Sequence, residues 1–338
     1  MLNRTKKYIL IASITILLLF ASGLLVFLFL PNKPVIAEIP QKKRKVVLYS
    51  SMQENQLEEI RTTFEATFPD IEMVYFASGT GKILTKVSAE LQSDSLEADL
   101  LWVADPCSYE SLIASDLFEP YESLYAHDLS QEYRRDDFLL TPARLIVMGF
   151  IYNSHFVEKA SVPKTWKELP SFGKVGISDP VSSGTSLATL RILTGNSDYG
   201  WEYIKQLKDQ GAILCSGSGA TAYQVGEGEC KLAITPDNVG YMTKSLGLPV
   251  EFYAPKEDAI VYSSPLGLFR KSKHKQEAKI FIDFILSDEG QRVLYSVGVT
   301  PIRGPLVPHF EHRMKMTEQQ LYSKEELLAQ FDTLFGIE

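Results

Sequence analysis

Three times in this chain a β-type apolar run gives way to a turn of serine, threonine and glycine that opens directly into an amphipathic helical stretch. The turns are Tyr49-Ser50-Ser51, Ser78-Gly79-Thr80-Gly81 and Ser182-Ser183-Gly184-Thr185. Val46 to Tyr49 reads as a strand. Gln56 to Phe68 then places Leu57, Ile60, Phe64 and Phe68 on one helical stripe, and Ile71 to Phe76 returns to an extended pattern. Apolar strands that alternate with helices require a parallel sheet covered on both faces, so the chain is α/β. Such sheets take ligands at the carboxyl ends of their strands, where all three turns fall. A helix start lined with hydroxyls and free N–H groups attracts anions.

The same grammar continues. Lys82 to Leu91 forms a second helical stripe, and Asp99 to Ala104 is an apolar run ending at Asp105-Pro106. Arg144 to Tyr152 is another β-rich run. From Thr165 the pattern restarts as helix, strand (Lys174 to Ile177), hydroxyl turn and helix (Leu187 to Leu193). Lys231 to Ile234 is a strand that runs into Thr235-Pro236-Asp237-Asn238 and a helix around Tyr241, with Pro236 suited to a first turn. Ala259 to Phe269 is extended, and Lys275 to Leu286 is an amphipathic helix.

The first 45 residues hold eight lysines and arginines against one acidic residue, leaving 26 basic and 41 acidic residues beyond them, a net charge of −15. That body repels nucleic acid, whose recognition uses a basic stripe. Tyr8 to Leu30 runs 23 residues without a charge behind Arg4, Lys6 and Lys7, long enough to span a bilayer with the basic end in the cytoplasm. It reads as an uncleaved anchor, with Val35-Ile36-Ala37 as an alternative cleavage site. Residues 31–45 read as an extended tether whose basic cluster, Lys42 to Lys45, either meets anionic lipid or is simply solvated. Cys215 and Cys230 are open to two readings, a short disulfide loop or small buried hydrophobes, and Cys107 is a free thiol.

Enzyme signatures fail. Ser78 to Lys82 lacks the leading glycine and trailing hydroxyl of a nucleotide loop, Ser216-Gly217-Ser218-Gly219 reads as a flexible loop rather than a nucleophile elbow, and His309 and His312 do not form a metalloprotease motif. No catalytic residue, resident metal or cofactor is expected.

Val47 to Met52, Ser78 to Gly81, Val175 to Pro180 leading into Ser182 to Thr185, and Phe281 to Gln291 together resemble the extracytoplasmic solute-binding proteins of ABC importers. The similarity is to the branch that groups ferric-iron binders with phosphonate and hexose-phosphate binders. It implies a two-lobed, periplasmic-binding-protein-like fold of type II with two crossing hinge strands, preceded here by the N-terminal transmembrane helix. On that pattern residues 1–30 are the anchor or signal peptide and 31–45 the tether. Residues 46–148 plus 258–338 form lobe 1, and 149–257 form lobe 2, with hinges near Phe150 to Tyr152 and Val261 to Ser263.

The resemblance also implies a monomer outside the cytoplasm that closes on a small anionic solute and presents it to an ABC permease. Ferric binders of the branch use a histidine after the first strand and two adjacent tyrosines in lobe 2. This chain has Ser50-Ser51-Met52-Gln53 and the single Tyr241 at those places. The expected solute is therefore an organic phosphate or phosphonate. Its oxygens would meet Ser50, Ser51, Gly79, Thr80, Gly81, Ser182, Ser183, Gly184 and Thr185, and Asp105, Asp237 and Tyr241 would face the remainder. Ferric iron or a ferric chelate, and a membrane-tethered ligand sensor, are the alternatives.

Overall fold

Two sheets share one long strand. The first segment runs through β1 (Arg44–Ser50), α1 (Glu54–Thr67), β2 (Ile71–Ala77), α2 (Thr80–Gln92), β3 (Leu100–Trp102) and α3 (Glu110–Ala114) to β4 (Leu140–Asn153). It continues as β5 (Gly176–Ser178), α4 (Gly184–Thr194), α5 (Gly200–Asp209), β6 (Ile213–Cys215), α6 (Ser218–Glu227), β7 (Leu232–Pro236), α7 (Asp237–Ser245) and β8 (Val250–Tyr253). The last third is β9 (Val261–Leu268), α8 (Lys275–Leu286), α9 (Asp288–Ser296) and α10 (Lys324–Phe335). The computed structural model describes Thr15, residues 43–314 and residues 322–337, and the described residues from Lys43 onward belong to one compact unit. The uncharged stretch Tyr8–Leu30 lies outside the described residues apart from Thr15, as do residues 31–42 of the tether. Among the described residues no helix is long and apolar enough to cross a membrane.

The strand order is β2-β1-β3-β9-β4-β7-β5-β6, with β8 on the other side of β4. In lobe 1, β1 lies parallel between β2 and β3, and β9 is inserted antiparallel between β3 and β4. In lobe 2, β4 pairs antiparallel with β7 and β8, and β5 pairs parallel with β6 and β7. The change of sheet falls where β4 leaves Val261 at Val147 and takes up Pro236 at Met148. That is a few residues before the expected Phe150 to Tyr152, which pair wholly within lobe 2. The return crossing runs through residues 254–260, just ahead of Val261.

Each element buries the stripe its spacing provides. α1 sets Leu57, Ile60 and Phe64 against one face of the lobe 1 sheet, where Phe64 meets Phe281 of α8 at a ring distance of 5.2 Å. α2 places Ile83 and Val87 on the opposite face. Lobe 2 is built around Phe150, whose ring lies 5.0 Å from Trp166.

Three expectations change. The basic cluster does not remain a tether to its end, because Arg44 begins β1 and holds Asp70 at 2.7 Å and Glu277 at 3.2 Å. The helix expected from Thr165 is reduced to a 3₁₀ turn, Leu169–Phe172, which contains Pro170. The C-terminal residues do not all stay with lobe 1: α10 buries Leu327 and Phe331 in the lobe 2 core beside α4, and Tyr322 meets the Trp201 ring at 6.1 Å.

Candidate binding site

The strands of both sheets end toward a cleft of about 360 Å³ between the lobes. Five helices, α1, α2, α4, α6 and α7, begin at or beside its wall, so their first N–H groups and positive dipole ends converge on one space. Of the expected residues, the structure brings Ser51, Gly79 and Thr80 to the wall from lobe 1, and Ser182, Ser183, Gly184 and Thr185 from lobe 2. Ser51 Oγ is buried without a hydrogen-bond partner among the described residues. On the lobe 2 side three hydroxyls form a ring: Ser183 and Thr185 are 3.1 Å apart, and both touch Ser218 Oγ, at 3.0 and 2.8 Å. Ser183 also caps α4 by accepting from Ser186 N at 3.3 Å.

The other five do not line the cleft. Ser50 Oγ is consumed within lobe 1, donating to the Trp102 carbonyl at 2.9 Å and accepting from Met52 N at 3.2 Å. Gly81 packs on the Val181 carbonyl. Asp105 is fully buried, with Oδ1 accepting from Ser108 N at 2.8 Å and Oδ2 from Ser108 Oγ at 2.9 Å, so it caps the turn that follows β3. Asp237 is buried at the hinge, where it accepts from Thr300 Oγ1 and from Val147 N. Burial raises both carboxyls to about 6. Tyr241 is half exposed, with its ring on Phe252 and its Cβ facing Gly298 of lobe 1.

Sequence reasoning missed Arg144. It lines the cleft although only 2% of its surface is exposed, and its Nη1 has no hydrogen-bond partner among the described residues. Its Nε donates to Ser264 Oγ at 3.4 Å, and its guanidinium lies 5.9 Å from the Trp102 ring centre. The cause is a bulge: the β4–β9 register slips between Pro142 and Arg144, leaving Ala143 without a cross-strand register partner on β9. Such a bulge re-aims the side chain beside it. Burial lowers the Arg144 pKa to about 10, against the attraction of Asp237, and the group stays cationic at neutral pH. One signal was present, a lone charge within a strand whose other thirteen residues carry none. The second miss was Ser216 to Gly219, which is no flexible loop: it lines the cleft and opens α6 at Ser218.

The lobes are closed on each other. A Cβ added at Gly79 would stand 3.1 Å from the Ser182 carbonyl, and one at Gly81 2.6 Å from that of Val181. Gly184 of lobe 2 touches Asp105 and Thr80 of lobe 1 with no room for a side chain. Asn238 Nδ2 donates to Gln56 Oε1 across the cleft at 3.1 Å, and Arg191 of α4 pairs with Glu110 of α3. Cys107, Cys215 and Cys230 are all buried free thiols, so the disulfide reading does not hold.

A hinged α/β clamp with an anion-attracting space between its halves is a binding protein for a small solute. The chain belongs to the family of bacterial extracellular solute-binding proteins, whose model matches residues 97–324. An uncharacterized protein of Haemophilus influenzae is 24% identical over 269 residues, covering 76% of this chain and 77% of that protein. Among solved structures, AfuA of Actinobacillus pleuropneumoniae with exogenous fructose-6-phosphate bound has a TM-score of 0.73 at 21% identity, over 88% of this chain and 100% of its own. Iron-bound HitA of Pseudomonas aeruginosa has a TM-score of 0.72 at 20% identity, over 86% and 99%. These likenesses carry the two-lobed fold. The family role is extracytoplasmic capture of a small solute for delivery to an ABC transporter permease.

Proposed function

We propose that this protein captures a small organic anion bearing a phosphate or phosphonate group and hands it to an ABC permease. The observation that carries the reading is the unpartnered Nη1 of buried Arg144 in a cleft where helix starts from both lobes meet. A desolvated guanidinium with a free N–H favours an oxyanion strongly, and neutral hydroxyls and amides complete its coordination. The closed halves supply donors from both sides, so the solute favours closure by the contacts it makes with both lobes. In this reading the uncharged N-terminal stretch keeps the clamp at the outer face of the membrane.

The iron alternative has less support in the cleft. Among the described residues no tyrosine or histidine lines it, and a cationic Arg144 opposes a bare ferric ion. Among the described residues no group of three or more histidine, cysteine, aspartate or glutamate side chains is placed to hold a metal. Calorimetric titration with hexose phosphates, 2-aminoethylphosphonate and ferric citrate tests the proposal. Heat with the phosphate ester or the phosphonate is the expected result, and heat with iron alone overturns it.

A further inference from the structure

Asp105 belongs to lobe 1, yet part of what seals it from water belongs to lobe 2. Its two hydrogen bonds come from Ser108, in the turn that follows it and within the same lobe. Oδ2 also abuts Gly184 in the first turn of α4 so closely that no Cβ fits between them, with Thr80 beside it. The carboxyl is completely buried, and among the described residues it forms no ion pair. Opening withdraws Gly184 and admits water to one face of the carboxyl.

We propose that closure of the two lobes is linked to a proton through Asp105: as lobe 2 covers it, the carboxylate loses water and takes a proton from solvent, and it returns that proton on opening. A desolvated carboxylate without a cation is costly, and protonation removes the charge. Three ionisable groups adjoin it: Cys107 and Tyr109 on the following turn, and Tyr262 on β9. Burial pushes the thiol up to about 12 and both phenols well above their ordinary value, so all three stay neutral. Arg144 and Asp237 act on Tyr262 in turn, with opposite signs. Lys324 of α10 attracts the carboxylate, as does the N-terminus of α4, and burial outweighs them, leaving the carboxyl at about 6 against an ordinary 3.8.

The sign follows from linkage. The closed form has the higher pKa and binds more proton, so the closed-to-open ratio rises as pH falls through 6 toward 4 and is flat above 7. With full hydration in the open form the ratio changes about tenfold between pH 7 and pH 5. Burial retained within lobe 1 makes the change smaller.

The test uses no ligand and is therefore independent of the solute's identity. Spin labels on Glu59→Cys in α1 and Lys208→Cys in α5, both exposed positions, report the interlobe distance distribution by pulsed electron resonance at pH 5, 6 and 7. The full chain should shift toward the short distance at pH 5, and D105N, neutral at every pH, should lose the shift and resemble the pH 5 form at pH 7. Equal distributions at pH 5 and 7, or a D105N response equal to that of the parent, overturn the proposal. If D105N does not fold, carboxyl ¹³C titration of Asp105 in the unaltered protein separates the same two outcomes. A midpoint that lies above the ordinary 3.8 and rises with the closed fraction the labels report supports the linkage, and one that stays at 3.8 whatever that fraction ends it.

Discussion

Gly184→Ala is a wedge placed in the seam and nowhere else. The added methyl would stand 2.6 Å from Thr80 Oγ1 and closer still to Asp105 Oδ2. The Thr80 contact is about 0.8 Å inside the roughly 3.4 Å at which such atoms ordinarily meet. Neither neighbour yields readily: Thr80 is buried in the first turn of α2, and Asp105 is held by two bonds from Ser108. Overpacking of this kind costs about 1–3 kcal/mol, which here falls on the closed form alone because both obstructing residues are in the other lobe. Within α4 the change is tolerated, since Gly184 is its first residue and alanine is the better helix former. Binding of the tightest phosphate ester or phosphonate should therefore weaken about 5- to 150-fold while the melting temperature holds or rises. Calorimetry and thermal unfolding on the same preparation separate the two effects. Unchanged affinity would refute the closed seam as the state that retains solute, and a lowered melting temperature would place the damage in lobe 2 itself.

Further outcomes follow from the same geometry. Arg144→Met removes the unpartnered donor, and loss of one charge-assisted hydrogen bond, about 1.5–3 kcal/mol, should weaken anion binding by an order of magnitude or more. Its melting temperature should hold or rise, because a desolvated cation without an ion-pair partner is costly to bury. Ser183→Ala with Thr185→Ala leaves Ser218 as the remaining hydroxyl of the ring and should cost about 1–3 kcal/mol per buried bond lost, read as a weaker dissociation constant. Phe331→Ala should lower unfolding stability by about 3–5 kcal/mol in urea, since Phe331 is buried against α4; a loss under 1 kcal/mol would mean that α10 is not seated on lobe 2.

The sheet-and-helix grammar was legible because periodicity reports which face of an element is buried. The Thr80 and Ser182 to Thr185 turns were legible because hydroxyls and glycine before a helix stripe mark its start. Whether a polar residue at a strand end meets solvent, ligand or its own loop is decided by tertiary neighbours. Ser50 turned inward to the Trp102 carbonyl, and Asp105 to Ser108, while the adjoining Ser51 and Ala104 reached the cleft. Arg144 was hidden for a related reason: local pattern gives a strand, but the bulge that turns its side chain into the cleft arises from the pairing with β9, more than a hundred residues later. The Ser216 to Gly219 segment looked mobile because glycine and serine suit loops, and the same residues also suit a helix start crowded against another lobe.

The insertion of β9 between β3 and β4 also fixes an order of assembly. Residues 148–253 hold every strand pairing of the lobe 2 sheet, so that half can pair its sheet while the chain beyond is still emerging. The N-terminal strands, although made first, wait with an unfilled edge until residues 261–268 arrive to bridge them. A long interval with a bare strand edge invites pairing with the wrong partner, and in this protein that hazard falls on β1 to β3, within residues 44–102.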